Sequence, residues 1–160
     1  MPAAIGPREI GLCAGLASLV LLVAAFGFEF LGGLAPCPLC LWQRWPHGLA
    51  AVLGIAVLIG PRRPLALAGI AAMVVGAALA GYHVGIEQGW WTGPESCVAP
   101  DIGGLSPEAL LERIMNAPAV RCDEVAWRFL GVSMAGWNAA SSVLLAGLWG
   151  RAYASSSASQ

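Results

Sequence analysis

Four apolar stretches, near residues 10–31, 43–60, 65–86 and 132–150, each approach the roughly 20 residues that an α-helix needs to cross about 30 Å of hydrocarbon. Inside a bilayer no water is available to the backbone, so a segment of this kind must satisfy its own N–H and C=O groups as a helix. Four such segments in 160 residues leave room for little else. The expected fold is an all-α membrane protein: a four-transmembrane-helix bundle, one domain over 1–160, with outer loops at about 32–42 and 87–131. Composition agrees, with 58% hydrophobic and 11% charged residues against about 25% charged in soluble domains. A net charge of −1 offers no electrostatic footprint for nucleic acid. The first stretch ends in Gly33-Leu34-Ala35, as a signal peptide might, but Pro36 would follow the cut and the apolar run is too long, so it reads as a retained anchor.

Between the second and third spans lies only Gly60-Pro61-Arg62-Arg63-Pro64, a tight turn with two adjacent arginines. That turn is read as cytoplasmic, and parity then puts both termini inside and both long connections outside. Arginines alone do not orient the chain: Arg8, Arg62, Arg63 and Arg151 fall on one side, Arg44, Arg113, Arg121 and Arg128 on the other. The acids concentrate outside but contribute little to orientation. The short turn and the cysteines decide it, because stable disulfides belong to an oxidising compartment.

Four of the five cysteines lie in or beside the outer segments. Cys37-Pro38-Leu39-Cys40 has a spacing that suits a redox-active disulfide or half of a metal site. Cys97 and Cys122 stand 25 positions apart in the longest hydrophilic stretch and look like a second, separate pair. Cys13 sits within the first span, where a buried thiol behaves as a small hydrophobe. In the second loop Leu105-Ser106-Pro107-Glu108 marks a helix start, with Ser106 as N-cap, Pro107 at the first helical position and Leu105 stapling against Leu110. Leu110, Leu111, Ile114 and Met115 then share one face, so this short amphipathic helix either lies on the bilayer surface or packs on its own loop. The segment 154–160 reads as a disordered tail. Gly11/Gly15, Gly76/Ala80 and Gly81/Gly85 have the spacing that lets membrane helices approach closely, and Asn138, Ser141 and Ser142 can bond across helices.

Cys37-Pro38-Leu39-Cys40-Leu41-Trp42-Gln43-Arg44, with Cys122-Asp123-Glu124-Val125-Ala126-Trp127-Arg128-Phe129-Leu130-Gly131-Val132-Ser133-Met134 much later, resembles the disulfide bond formation protein B family, DsbB, over nearly the whole chain. The resemblance implies a thiol:quinone oxidoreductase of the bacterial inner membrane that reoxidises a periplasmic thioredoxin-like dithiol oxidase (DsbA-like) and passes the electrons to the membrane pool of ubiquinone or menaquinone. It implies a Cys97–Cys122 disulfide attacked by the partner, with Cys97 as the sulfur attacked. Cys37 then exchanges with the loop pair and Cys40 faces the quinone. The same resemblance gives Arg44, and by looser alignment a histidine of the third span, to the quinone.

The residues support that chemistry on their own terms. Arg44 lies one helical turn from Cys40, and a nearby cation favours the thiolate. Arg44, His47 and His83 are expected at similar depth, in a polar pocket facing Cys40. The alternative for Arg44 is an interfacial anchor, and for either histidine an interhelical hydrogen bond. For the loop pair it is a static staple, whereas a working relay needs a labile, exposed bond. A disulfide-stapled scaffold or a metal-binding membrane protein without turnover is the rival reading of the whole, although the second pair lacks the close spacing of zinc sites. A c-type haem motif is excluded, because Leu41 rather than His follows Cys40.

Overall fold

The computed structural model describes residues 6–97, 106–115 and 120–157. Four long helices, α1 (Pro7–Phe30), α2 (Pro38–Ala56), α3 (Arg62–Glu87) and α5 (Met134–Ser157), form the body, with a short α4 (Pro107–Met115) and a two-stranded ribbon, β1 (Arg128–Phe129) and β2 (Val132–Ser133), between α3 and α5. Packing runs α1 on α2, α2 on α3, α3 on α5 and α5 back on α1, which closes a four-helix ring. α1 and α3 are each long and apolar enough to cross a membrane.

The distribution of side-chain size is that of a bundle in lipid. Small residues line the contacts: Ala14, Ala50, Ala66, Ala72 and Ala80 are all buried. Large aliphatic residues face outward, Val20, Val52, Ile55, Val143 and Leu144 among them, each more than 60% exposed. A water-soluble bundle would invert this pattern. Without a hydrophobic drive between helices in lipid, close backbone approach must supply the packing. Gly15 on α1 meets Gly54 on α2 so closely that a Cβ at Gly15 would fall 2.6 Å from the Gly54 Cα. Of the small-residue pairs expected from spacing, Gly11 sits against Val57 and Trp149 and Gly76 against Ser142 and Pro46, whereas Gly81 faces open space and Gly85 accommodates the Trp91 ring.

Three boundaries differ from expectation. α2 starts at Pro38, not near 43, so the C-x-x-C belongs to a helix N-terminus rather than to a loop. It also stops at Ala56, before a hydrogen-bonded turn through Gly60. The tail expected at 154–160 is helical as far as Ser157. Ser156 is buried there and donates to the Tyr153 carbonyl at 2.7 Å, while Arg63 lies over the Tyr153 ring and donates to its hydroxyl at 3.2 Å. The Arg63–Tyr153 contact between α3 and α5 and the burial of Ser156 outweigh the weak propensity of a Ser/Ala-rich end. The remainder of that tail, 158–160, lies outside the described residues.

In the second outer segment the capping expectation is met at Ser106, whose Oγ accepts from Ala109 N at 3.3 Å. Leu105 and the Ile114 side chain lie outside the described residues, and Leu111 and Met115 are exposed. The β1–β2 hairpin was not anticipated. Its turn places Leu130 (φ 51°) and Gly131 (φ 79°) in the left-handed region, as a two-residue hairpin requires. The hairpin carries an aromatic stack, Trp127 on Phe129 and Phe129 against Trp137, with Trp137 Nε1 donating to the Phe129 carbonyl at 3.1 Å. Six of the seven tryptophans (42, 45, 90, 91, 127 and 137) flank the end of the bundle where α2 starts and α3 stops, and Trp149 alone is buried toward the other end.

Candidate functional site

Local rules place the C-x-x-C. Pro38 occupies the first helical position, where its missing N–H costs nothing. Cys37 becomes the N-cap, its Sγ accepting from Cys40 N at 3.2 Å. Cys40 is therefore in the first turn, where helix-terminal N–H groups favour negative charge. The two sulfurs are 2.9 Å apart, with the Cys37 thiol donating to Cys40. That bond is the main reason the Cys40 thiol is lowered to about 7, against the opposing effect of burial. The same bond, then burial, then the neighbouring charge, push Cys37 far above the ordinary thiol range. Arg44 favours the Cys40 thiolate, as expected, but is the smallest of the contributors. It is occupied elsewhere, in an ion pair with Glu29 of α1 at 2.6 Å and over the Phe26 ring at 4.5 Å.

Cys97 and Cys122 form a disulfide with a Cα–Cα distance of 4.8 Å. Both are fully buried, packed with Cys37, Leu39 and Ile86. The exposed bond that a relay seemed to need is thus a correction: the loop folds its disulfide down onto the C-x-x-C. Cys37 Sγ, Cys122 Sγ and a His83 ring nitrogen all come within 4.8 Å of one another. A soft metal could use that spacing, but the Cys122 sulfur is spent on Cys97.

The histidines line one cavity with Cys40 and Arg44, as expected, and are also tied to other side chains. His83 Nε2 lies 3.7 Å from the Cys37 sulfur, and its other face joins a chain of side chains running into the bundle. His47 Nε2 donates to Asn138 Oδ1 at 2.7 Å, Asn138 Nδ2 to Gln43 Oε1 at 2.6 Å, and Gln43 Nε2 to His83 Nδ1 at 2.9 Å. These directions form a consistent assignment of both amides and of the ring tautomers. His47 Nδ1 is buried without a protein partner. Glu87, one turn beyond His83, approaches its Nε2 at 3.9 Å and accepts from the Ser133 hydroxyl.

A cavity of about 360 Å³ opens beside these groups. Its walls are apolar, including Leu21, Leu22, Ala25, Phe28 and Val125, and Cys40, Arg44, His47 and His83 reach it at the polar end. Cys13 is exposed on α1 and does not line this cavity. Gln43, Glu87, Glu29 and Asn138 belong to the site although sequence reasoning did not place them there. The available signal was an ionisable or amide group in or at the end of an apolar helix, which is a functional candidate by default.

A family model described as Disulfide bond formation protein DsbB matches residues 7–152. Among curated relatives, Disulfide bond formation protein B 2 of Pseudomonas putida is 33% identical over 147 residues, covering 87% of this chain and 86% of the relative. Disulfide bond formation protein B of Methylococcus capsulatus is 37% identical over 129 residues, 73% and 76% of the two chains. That of Marinobacter nauticus is 36% identical over 147 residues, 84% and 81%. The chain belongs to the disulfide bond formation protein B family. As a member of DsbB it is a membrane oxidoreductase that generates protein disulfides. No solved structure matches it.

Proposed function

We propose that this DsbB-family chain reoxidises a periplasmic thioredoxin-like dithiol protein and passes the electrons to a membrane quinone, with Cys37, Cys40, Cys97 and Cys122 as the relay. The observation that carries the reading is the convergence of two cysteine pairs at the polar end of an apolar cavity. A thiolate of the reduced partner attacks Cys97, releasing Cys122, and the partner's second thiol closes its own disulfide. Cys122 then attacks Cys37 of an oxidised Cys37–Cys40 bond and releases Cys40. Cys97 closes on Cys122, restoring the loop disulfide and leaving Cys37 and Cys40 reduced. Exchange through thiolate attack of this kind is fastest when the leaving thiol has a low pKa, and Cys40 leaves at the first turn of α2, where the helix-terminal N–H groups favour its thiolate.

The cavity suits a quinone head group. Its volume lies in the usual range for small-molecule sites, roughly 300–1,000 Å³, and the unpartnered His47 Nδ1 supplies a buried polar atom with its bonding capacity unspent. When bound, a quinone supplies a two-electron acceptor that protein thiols lack. Arg44, His83 and His47 are the groups that would hold it, and Cys40 is the thiol that would meet it. The four long helices cross the inner membrane with both termini cytoplasmic, so the tryptophan-rich end lies at the periplasmic face.

The test is quinone reduction by the purified protein with a reduced thioredoxin-like donor, ubiquinone and menaquinone being varied in turn. Donor-dependent loss of quinone absorbance at catalytic protein concentrations is the expected result. A protein that binds the donor and never reduces either quinone would be a stapled scaffold.

A further inference from the structure

Glu87 is the group the relay leaves unexplained. Its side chain is only 5% exposed, yet among the described residues no arginine pairs with it. Oε2 is held by Ser133, whose Oγ also accepts from Gly136 N at 3.1 Å as the start of α5. The carboxylate is thereby fixed between the end of α3 and the first turn of α5, with Oε1 turned to His83 Nε2, the nitrogen that Cys37 also faces.

Cys122 leaves Cys97 as a thiolate and takes up the proton given off by the partner's thiol, so it must lose that proton to an acceptor before it can attack Cys37 as a thiolate. His83 is the nearest titratable neighbour, but its Nδ1 accepts from Gln43. The neutral ring then carries its hydrogen on Nε2, where it can donate to a sulfur and cannot take a proton from one. The one other carboxylate lining the cavity, Glu124, pairs with Arg121 at 3.0 Å, and Glu29, which does not line it, pairs with Arg44 at 2.6 Å. The charged and titratable groups that share this cavity with Glu87, or lie against His83, are therefore His83 on its own helix, Cys37, Cys40, Arg44 and His47 from α2, and Arg121, Cys122 and Glu124 from the second loop.

We propose that Glu87 is the proton acceptor for the internal disulfide exchange, with His83 Nε2–H steadying the sulfurs. This rests on the Cys122-to-Cys37 transfer proposed above. As Cys122 attacks, its proton passes to the Glu87 carboxylate, the Cys122–Cys37 bond forms, and the Cys37–Cys40 bond breaks with its electron pair leaving on Cys40. When Cys97, still the thiolate left by the partner's departure, then attacks Cys122, Cys37 departs as thiolate and takes the proton back from Glu87, while Cys40 keeps the negative charge. Glu87 ends as it began, and the proton has moved from Cys122 to Cys37.

The step can be isolated without quinone or partner. In a Cys13→Ser, Cys40→Ala, Cys97→Ala chain only Cys37 and Cys122 remain, and one equivalent of 5,5′-dithiobis(2-nitrobenzoate) caps one of them. Attack by the other releases a second thionitrobenzoate, a leaving group that needs no proton, so its rate reports on the attacking thiol. Glu87→Gln is expected to slow this release about 10-fold near neutral pH, within the roughly 30-fold by which full ionisation exceeds the thiolate fraction that a thiol of pKa about 8.5 has at pH 7. Above about pH 9, where thiols of pKa about 8.5 ionise unaided, the rate should converge with that of the parent, and Glu87→Asp should retain most of it at every pH. An unchanged rate in Glu87→Gln, or one slowed equally at all pH values, overturns the proton role. If Cys37 and Cys122 form no disulfide even with Glu87 present, the transfer itself is wrong and the inference falls with it. A rise in rate on loss of the carboxylate would show a purely electrostatic effect, since removing a nearby negative charge favours the thiolate, and would likewise overturn it.

Discussion

Cys37 and Cys40 differ by three positions and have opposite acidities, and the difference comes from one hydrogen bond. With Cys37 donating, Cys40 is lowered to about 7. Removal of the donor in Cys37→Ala should raise Cys40 toward the ordinary thiol value of about 8.5, so its alkylation at pH 7 should fall about tenfold. The sign follows from the bond stabilising the charged form: without it, more alkali is needed to make the thiolate. Iodoacetamide rates against pH, in a Cys13→Ser background, measure the shift, and an unmoved midpoint would transfer the cause to the helix terminus. Arg44 offers a second residue-scale test. Its pairing with Glu29 holds the guanidinium on the wall of the cavity, which Cys97 does not line. Arg44→Ala is expected to raise KM for quinone at least tenfold while KM for the dithiol partner stays within a factor of two of its original value. Equal effects on both substrates would remove Arg44 from the quinone site.

At the scale of elements, the α1–α2 contact depends on absent side chains. Gly15→Val would force a branched side chain against the Gly54 backbone, an overpacking that costs about 1–3 kcal/mol, whereas Gly81→Ala, which meets open space, should be nearly silent. Thermal unfolding in detergent compares the two. The helices were legible in the sequence because long apolar runs have few alternatives in lipid. Their ends were not, since the start of α2 is settled by the Cys37 cap and Pro38, and the end of α5 lies beyond the Arg63–Tyr153 contact and a buried Ser156, none of which hydropathy registers. The hairpin escaped notice because Leu130-Gly131 lacks the Asn-Gly or Asp-Gly signature of a left-handed turn. Within the site, the cysteines and Arg44 stood out by motif. Glu87 did not, because a carboxylate at the end of an apolar helix reads as the waterline until Ser133 and His83 are seen to enclose it.

For the whole molecule the decisive question is whether the buried loop disulfide works or merely staples. If it works, Cys122→Ala should accumulate a mixed disulfide between activated Cys97 and a partner lacking its own resolving cysteine, because the lifetime of that species depends on the nearest resolving thiol. Non-reducing gels would show a band that reductant removes. Cys97→Ala should abolish partner oxidation, and Cys13→Ser should leave turnover near normal. Two single variants that lost thermal stability and kept full turnover would make the pair a staple. Because Cys97 is fully buried, attack also requires the loop to lift. Partner oxidation should therefore slow when the second outer segment is tethered to α3 by an added crosslink, and an unaffected rate would show that the sulfur is reached as it lies.

Six of the seven tryptophans flank one end of the bundle, and indole rings settle where hydrocarbon meets water. On the proposed topology the indole anchors therefore gather at the periplasmic leaflet. In a thicker or thinner bilayer the adjustment falls on the far end, through tilt or local deformation, while the sulfurs keep their depth below the head groups. Immersion of the reactive end then becomes independent of lipid chain length, and a cell that remodels its acyl chains with temperature would not have to retune its electron acceptor's approach to Cys40.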